Sequence, residues 1–158
     1  MPEEEKILKA ICEKFGLTPE QATIKRARRI SATIDLNQLR LALELLAKEL
    51  GFDALATITG LDSGDNFEII YHLTQKGSIV FNLKVFVPKS LGKIKTIIDL
   101  YPPAELYERE ILDLLGLAIE GLPPGRRYPL PDNWPADQHP LLKNWEMDEN
   151  MKGGNICG

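Results

Sequence analysis

The sequence is short of the residues that build most recognisable chemistry. It has only two cysteines, Cys12 and Cys157, near opposite ends. They cannot form a framework of disulfides, so reduced thiols in a cytoplasmic protein are the simplest expectation. It has only two histidines, His72 and His139. Neither has a second histidine or cysteine at a ligand spacing, and no metal is expected. Iron–sulfur centres need several thiolates, so Cys157 alone, in GGNIC, reads as a free thiol. Glycines 60, 64 and 77 fall in turn sequences, not in a phosphate-cradling loop. No apolar run approaches the ~20 residues that cross a bilayer. The first residues, MPEEEKILKA, lack the basic-then-apolar order of a secretory signal. A net charge of −4 gives no general attraction to nucleic acid or to anionic lipid. The expectation is a soluble intracellular protein that reaches a membrane only through partners.

What is present suits an ordinary core. With 158 residues, 44% of them hydrophobic, one compact domain plus an appended segment is expected. Residues 3–15 read as an amphipathic helix, with Ile7, Leu8, Ile11 and Phe15 at helical spacing and Gly16 closing it. The end of QATIKRARRISATID alternates Ile30, Ala32 and Ile34 against Ser31 and Thr33, as a strand does. Asp35, with Gln38 three residues on, predicts a capped helix carrying Leu36, Leu39, Leu43, Leu46 and Leu50 and ending at Gly51. ALATITG, FEIIYHLT and IVFNLKVFV are three strands separated by LDSGDN and QKGS, which predicts an antiparallel meander. The expected fold class is α+β: a mostly antiparallel sheet with helices packed on one face.

After Val87 the texture changes. Residues 88–100 read as a linker and 101–118 as a helix entered through Pro102 and Pro103. The remaining residues, 119–158, hold six of the eleven prolines and both tryptophans, Trp134 and Trp145. Proline at that density excludes regular helix and central strand, so this is an extended arm. The expected division is a core of 1–118, including the helix, and an arm of 119–158.

The helix carries Glu108-Arg109-Glu110. At about 100° per residue, Tyr107, Ile111, Leu114, Leu115 and Ala118 form one apolar stripe, and the two glutamates lie on its opposite borders, about 160° apart. Two carboxylates so placed cannot flank one scissile bond. Arg109 lies on the far side, with Glu105 and Asp113 one turn before and after, within reach for i,i+4 pairing. Glu108 and Glu110 are either solvated rim residues or acceptors for basic groups and backbone amides. The basic run Lys25, Arg26, Arg28 and Arg29 lacks interleaved aromatics, and a solvated or partner-facing edge is expected of it. Arg126, Arg127 and Trp134 are the residue types that anchor interfaces, on a stiffened segment that loses little entropy on docking. A small stand-alone enzyme using Glu110 or His139 as acid/base is the competing reading.

From about residue 30 to 145, TITGLD, FEIIYHL, DLYPPAELYEREILDLLGLAIEG, RRYPLPDNW and HPLLK occur in order. The chain thereby resembles the family of the 30 kDa subunit of respiratory complex I and its relatives in energy-converting nickel–iron hydrogenases. Carried over residue by residue, Glu108, Arg109, Glu110, Asp113 and Gly116 match the helix motif. Arg126, Arg127, Pro131, Trp134, His139, Pro140 and Lys143 match the arm. Departures are Gly121-Leu122-Pro123 where the family has Gly-His-Pro, Leu142 within the closing motif, and Leu115 before the helix glycine. The resemblance implies an α+β domain with an extended C-terminal arm. It also implies a non-redox subunit without cofactor in the peripheral arm of a membrane-bound oxidoreductase. Such a subunit docks on the large hydrogenase-like subunit beside the iron–sulfur small subunit, on the cytoplasmic face. On that reading the helix is a joint whose bordering carboxylates fix the arginine-bearing arm or the partner.

Overall fold

The computed structural model describes residues 2–75 and 77–147; Cys157 lies outside them. Helix α1 runs Glu3–Phe15, buries Ile7 and Ile11, and is closed by Gly16 in the left-handed region at φ 65°. A hairpin follows, β1 (Ala22–Arg26) against β2 (Arg29–Ile34). The sequence pattern does not announce β1. It runs into the basic stretch, where charge hides a short strand whose partner is the next segment.

Asp35 does not cap a helix with its side chain. Leu36–Gln38 instead winds as a 3-10 turn, with the Asp35 carbonyl accepting the Gln38 amide at 3.0 Å. The expected capping box is therefore replaced by a tighter backbone bond. Helix α2 then runs Leu39–Lys48, with Leu39, Leu43 and Leu46 buried as the spacing requires. The meander is β3 (Ala54–Asp62), β4 (Asn66–Gln75) and β5 (Ile79–Pro88), antiparallel throughout.

The sheet order is β1-β2-β5-β4-β3, and only β2 with β5 is parallel. Buried residues alternate along β4 (Phe67, Ile69, Tyr71, Leu73) and β5 (Ile79, Phe81, Leu83, Val85, Val87). Together with residues of all three helices they form one core, so the fold is the α+β class expected. Within the expected linker, β6 (Lys93–Lys95) pairs in parallel with β7 (Ala118–Glu120). The strands are three residues each and 25 positions apart, too short for a periodic signal.

Helix α3 is Ala104–Leu115, shorter than 101–118, with Pro103 at its start and Gly116 ending it at φ 72°. Ala118 is thus exposed in β7 and is not part of the buried stripe. α3 lies against β3 at Gly60, where a β-carbon would stand 2.7 Å from Leu115 Cδ1 and 3.2 Å from Ile111 Cγ1. The bare glycine is what lets this helix approach the sheet. Among the described residues no helix is long and apolar enough to cross a membrane.

Candidate functional site

The residues singled out from the sequence converge on α3 and the segment that folds over it. Glu108 is not a solvated rim residue; it is buried, at 3% exposure. Its Oε1 accepts the Ile97 amide at 2.8 Å and its Oε2 accepts the Thr96 hydroxyl at 2.5 Å. Its helical angle is the one the spacing gives, but the Thr96–Ile97 segment lies over that border of the helix and seals it. Burial pushes the Glu108 carboxyl pKa upward, against the two hydrogen bonds that favour its anion. Glu108 therefore anchors the turn after β6, not the arm. Glu110, on the other border, lines a cleft of about 210 Å³ between β3 and α3 beside Thr57 and Leu141.

The arm is held by the outer face and C-terminus of α3. Arg109 donates from Nη2 to Glu105 Oε1 at 2.8 Å and to the Pro123 carbonyl at 2.7 Å. Its side chain is only 13% exposed, because Gly125 lies across the guanidinium, so close that a β-carbon would be 2.5 Å from Nη2. The expected Arg109–Asp113 pairing does not form. Asp113 is buried and takes the arm instead: Oδ1 accepts Arg127 Nε at 2.6 Å, and Oδ2 accepts the Leu130 amide at 2.9 Å. Arg127 Nη1 also donates to the Trp134 carbonyl.

A helix leaves its last carbonyls without partners, and here the arm supplies them. His139 Nδ1 is 2.8 Å from the Asp113 carbonyl, and the Leu141 amide donates to the Leu114 carbonyl at 3.0 Å. The His139 ring lies over Gly116, where a β-carbon would be 2.6 Å from Cδ2. Gly116 thus meets two demands, a left-handed backbone and room for an imidazole. Trp134 and Trp145 stack with centroids 6.0 Å apart, and both indole N–H groups bond Gln138. Arg126 points outward, 88% exposed, with Asp132 at 3.1 Å.

Lys143 contributes its main chain, and the acceptor is Asp62, the last residue of TITGLD, for which the sequence suggested no role. Asp62, its side chain only 1% exposed, accepts the Lys143 amide at 2.9 Å, the Gly64 amide at 2.9 Å and Lys89 Nζ at 2.7 Å. Lys89, together with the Lys143 amide, holds its carboxyl down at about 2. In the sequence Asp62 is the first acidic residue of an Asp-x-Gly turn. Nothing local links it to an amide 81 positions away.

Chemically, this arrangement positions. Each buried carboxylate is satisfied by donors, and His139 lines a groove of about 350 Å³ with Arg126 and Tyr128, apart from the cleft that Glu110 lines. Among the described residues no group of three or more His, Cys, Asp or Glu is arranged to hold a metal. Outward from the joint stand Leu106 (48% exposed), Leu112, Tyr128 and Leu141.

Residues 32–151 match the family model described as respiratory-chain NADH dehydrogenase, 30 Kd subunit. The chain belongs to that family. It is 29% identical over 136 residues to a subunit of the F(420)H(2) dehydrogenase of Methanosarcina mazei, spanning 82% of this chain and 86% of that one. It is 33% identical over 100 residues to NADH-quinone oxidoreductase subunit 5 of Thermus thermophilus, spanning 54% of this chain and about half, 48%, of that relative. Among solved structures, a chain of the membrane-bound sulfane sulfur reductase, an archaeal respiratory membrane complex, superposes with a TM-score of 0.80 at 26% identity. That superposition covers 96% of this chain and 90% of the other. The trypsin-resistant fragment of Nqo5 aligns with a TM-score of 0.65 at 25% identity, over 78% of this chain and all of the fragment. Of the motifs by which the chain resembles this 30 kDa subunit family, TITGLD and FEIIYHL lie in β3 and β4, while Arg109, Asp113, Gly116, Arg127, Trp134 and His139 of the helix and arm motifs meet at the α3–arm joint.

Proposed function

We propose that this chain is the non-redox assembly subunit of a membrane-bound oxidoreductase of the NADH:quinone, reduced-F420 or energy-converting hydrogenase type. Its role is to dock on the large hydrogenase-like subunit, beside the iron–sulfur small subunit, on the cytoplasmic face of the membrane. Residues 1–118 act as the folded core and 119–158 as the docking arm. The observation that carries this reading is the division of labour at the joint. The carboxylates of Glu108 and Asp113 are engaged by this chain's own donors, so they organise the turn after β6 and the arm. Meanwhile Leu106, Leu112, Tyr128 and Leu141 face outward along helix and arm, the residue types that gain most from burial against a partner. Family membership and the likeness to subunits of respiratory complexes support the same reading.

The experiment is co-purification of the other subunits with variants of this one. Leu112→Glu buries a charge in the proposed interface, and Arg127→Ala releases the arm from Asp113. Each is expected to lower recovery of the large subunit at least about tenfold. Full recovery with both variants, each shown to be folded, would remove the joint from the interface. The stand-alone enzyme using Glu110 or His139 as acid/base is not favoured: His139 Nδ1 is taken up by the Asp113 carbonyl, and the family and the similar chains are subunits of respiratory complexes.

A further inference from the structure

The basic hairpin takes no part in the joint. Lys25 and Arg26 end β1, Arg28 forms the turn, and Arg29 begins β2. Lys25, Arg26 and Arg28 stand at the outer end of the hairpin, all three exposed. Arg26 and Arg29 are cross-strand partners, and like charges set opposite each other destabilise a hairpin. Arg28 holds a left-handed backbone at φ 62°, which is unfavourable for a residue with a β-carbon. Among the described residues none of these four cations forms an ion pair, whereas Arg40, Lys84, Lys89, Lys93, Arg109, Arg126 and Arg127 all do. Glu4, the carboxylate that reaches the turn, is engaged by the Arg28 backbone amide at 3.0 Å. The hairpin is also the edge of the sheet. A chain of net charge −4 thus gathers four positive charges, none of them in an ion pair among the described residues, on the hairpin that carries the edge strand β1, with Glu4 offsetting part of the charge of Arg28.

We propose that this hairpin docks an acidic face of a partner protein, at a site distinct from the α3–arm joint. Carboxylates on the partner would relieve the Arg26–Arg29 repulsion, which the isolated chain leaves standing, and opposite fields speed correct encounter. A protein surface fits better than a lipid surface. The hairpin turn lies against Glu4, in the run Glu3, Glu4 and Glu5 that opens α1. A broad anionic bilayer meets those acids together with the cations, whereas a protein can set its carboxylates only where the cations are.

The inference rests on the assembly reading above, and one experiment separates the two. The purified multisubunit particle and the free chain are treated in parallel with an amine-acetylating reagent, and the rate at Lys25 is read by mass spectrometry. Lys25 is expected to react about tenfold or more slowly in the particle, as a contacted amine does. Carbodiimide is expected to couple Lys25 to an Asp or Glu of another subunit. Arg26→Glu/Arg28→Glu, shown to be folded by circular dichroism, is expected to weaken retention in the particle about a hundredfold. Equal Lys25 rates in particle and free chain overturn this inference alone. A chain that purifies without any other subunit overturns both readings. Equal protection of Lys25 by phosphatidylcholine–phosphatidylglycerol vesicles, without partner subunits, overturns it in favour of a lipid surface.

Discussion

Replacing Asp113 by alanine removes both oxygens by which α3 grips the arm. The Leu130 amide loses its acceptor, and an orphaned donor in this half-buried setting costs about 1–2 kcal/mol. Arg127 loses its charged partner. A fully buried pair broken on one side costs about 3–5 kcal/mol, but a fifth of the Arg127 side chain reaches water, and its Nη1 keeps the Trp134 carbonyl. A further 1–2 kcal/mol is the reasonable share, about 3 kcal/mol in all. The loss falls on the arm, because the donors that Asp113 holds, Arg127 and Leu130, belong to the arm, while Phe81, Leu83 and Leu73 are held by the apolar core. Hydrogen exchange on the free chain reads this directly. The amides of Leu130, Leu141 and Lys143, all donated within the joint, should exchange about a hundredfold faster. Amides of β4 and β5 should keep their rates. If the arm amides exchange as in the unaltered chain, Asp113 is not the clasp. If the core amides accelerate equally, arm and core are one cooperative unit.

Three further outcomes follow from the same contacts. Glu108→Ala orphans the Thr96 hydroxyl and the Ile97 amide and should lower the urea midpoint by the equivalent of about 2–4 kcal/mol. Glu108→Gln keeps an acceptor, sheds a buried charge and should stay within about 1 kcal/mol of the parent; equal losses in both would show that the charge itself matters. Gly116→Ala meets φ 72° and the His139 ring together; the loss should be about 2 kcal/mol or more, with the His139 proton resonances shifting by NMR. The Asp62 carboxyl, ordinarily 3.8, sits at about 2 when folded, so between those values the unfolded chain binds more protons and stability rises with pH. The contribution is fully present above 3.8 and is lost as the pH falls through about 2. With Lys89 a third exposed, it is about 1–2 kcal/mol, and Asp62→Asn should flatten that part of the pH profile of urea unfolding.

Local physics makes much of the architecture readable. The spacing of Ile7 and Ile11 before Gly16, the leucines of α2, and the alternation in β4 and β5 depend only on neighbours along the chain. So does the start of α3 after Pro102-Pro103. Six of the residues named by the motifs, Arg109, Asp113, Gly116, Arg127, Trp134 and His139, lie together where the arm crosses α3. Their partnerships are a different matter. A helical wheel assigns each side chain an angle, but not what covers that angle. It sets Glu108 on a border that the segment around Ile97 buries, and it sets Asp113 beside Arg109 on a face that the arm claims.

By itself, then, the sequence determined the periodic elements, the class of fold and the family. Those follow from short-range spacing and from ordered motifs. Only the tertiary structure decided that Asp113 is the carboxylate the arm seizes, that Asp62 and Thr96 belong to the supporting contacts, that β6 and β7 pair, and that the basic run is a hairpin with no ionic partner among the described residues. Most of those pairings join positions far apart along the chain. They are selected by which surfaces overlap once the core has packed and by which buried donors must find an acceptor, and neither condition is written in any local stretch.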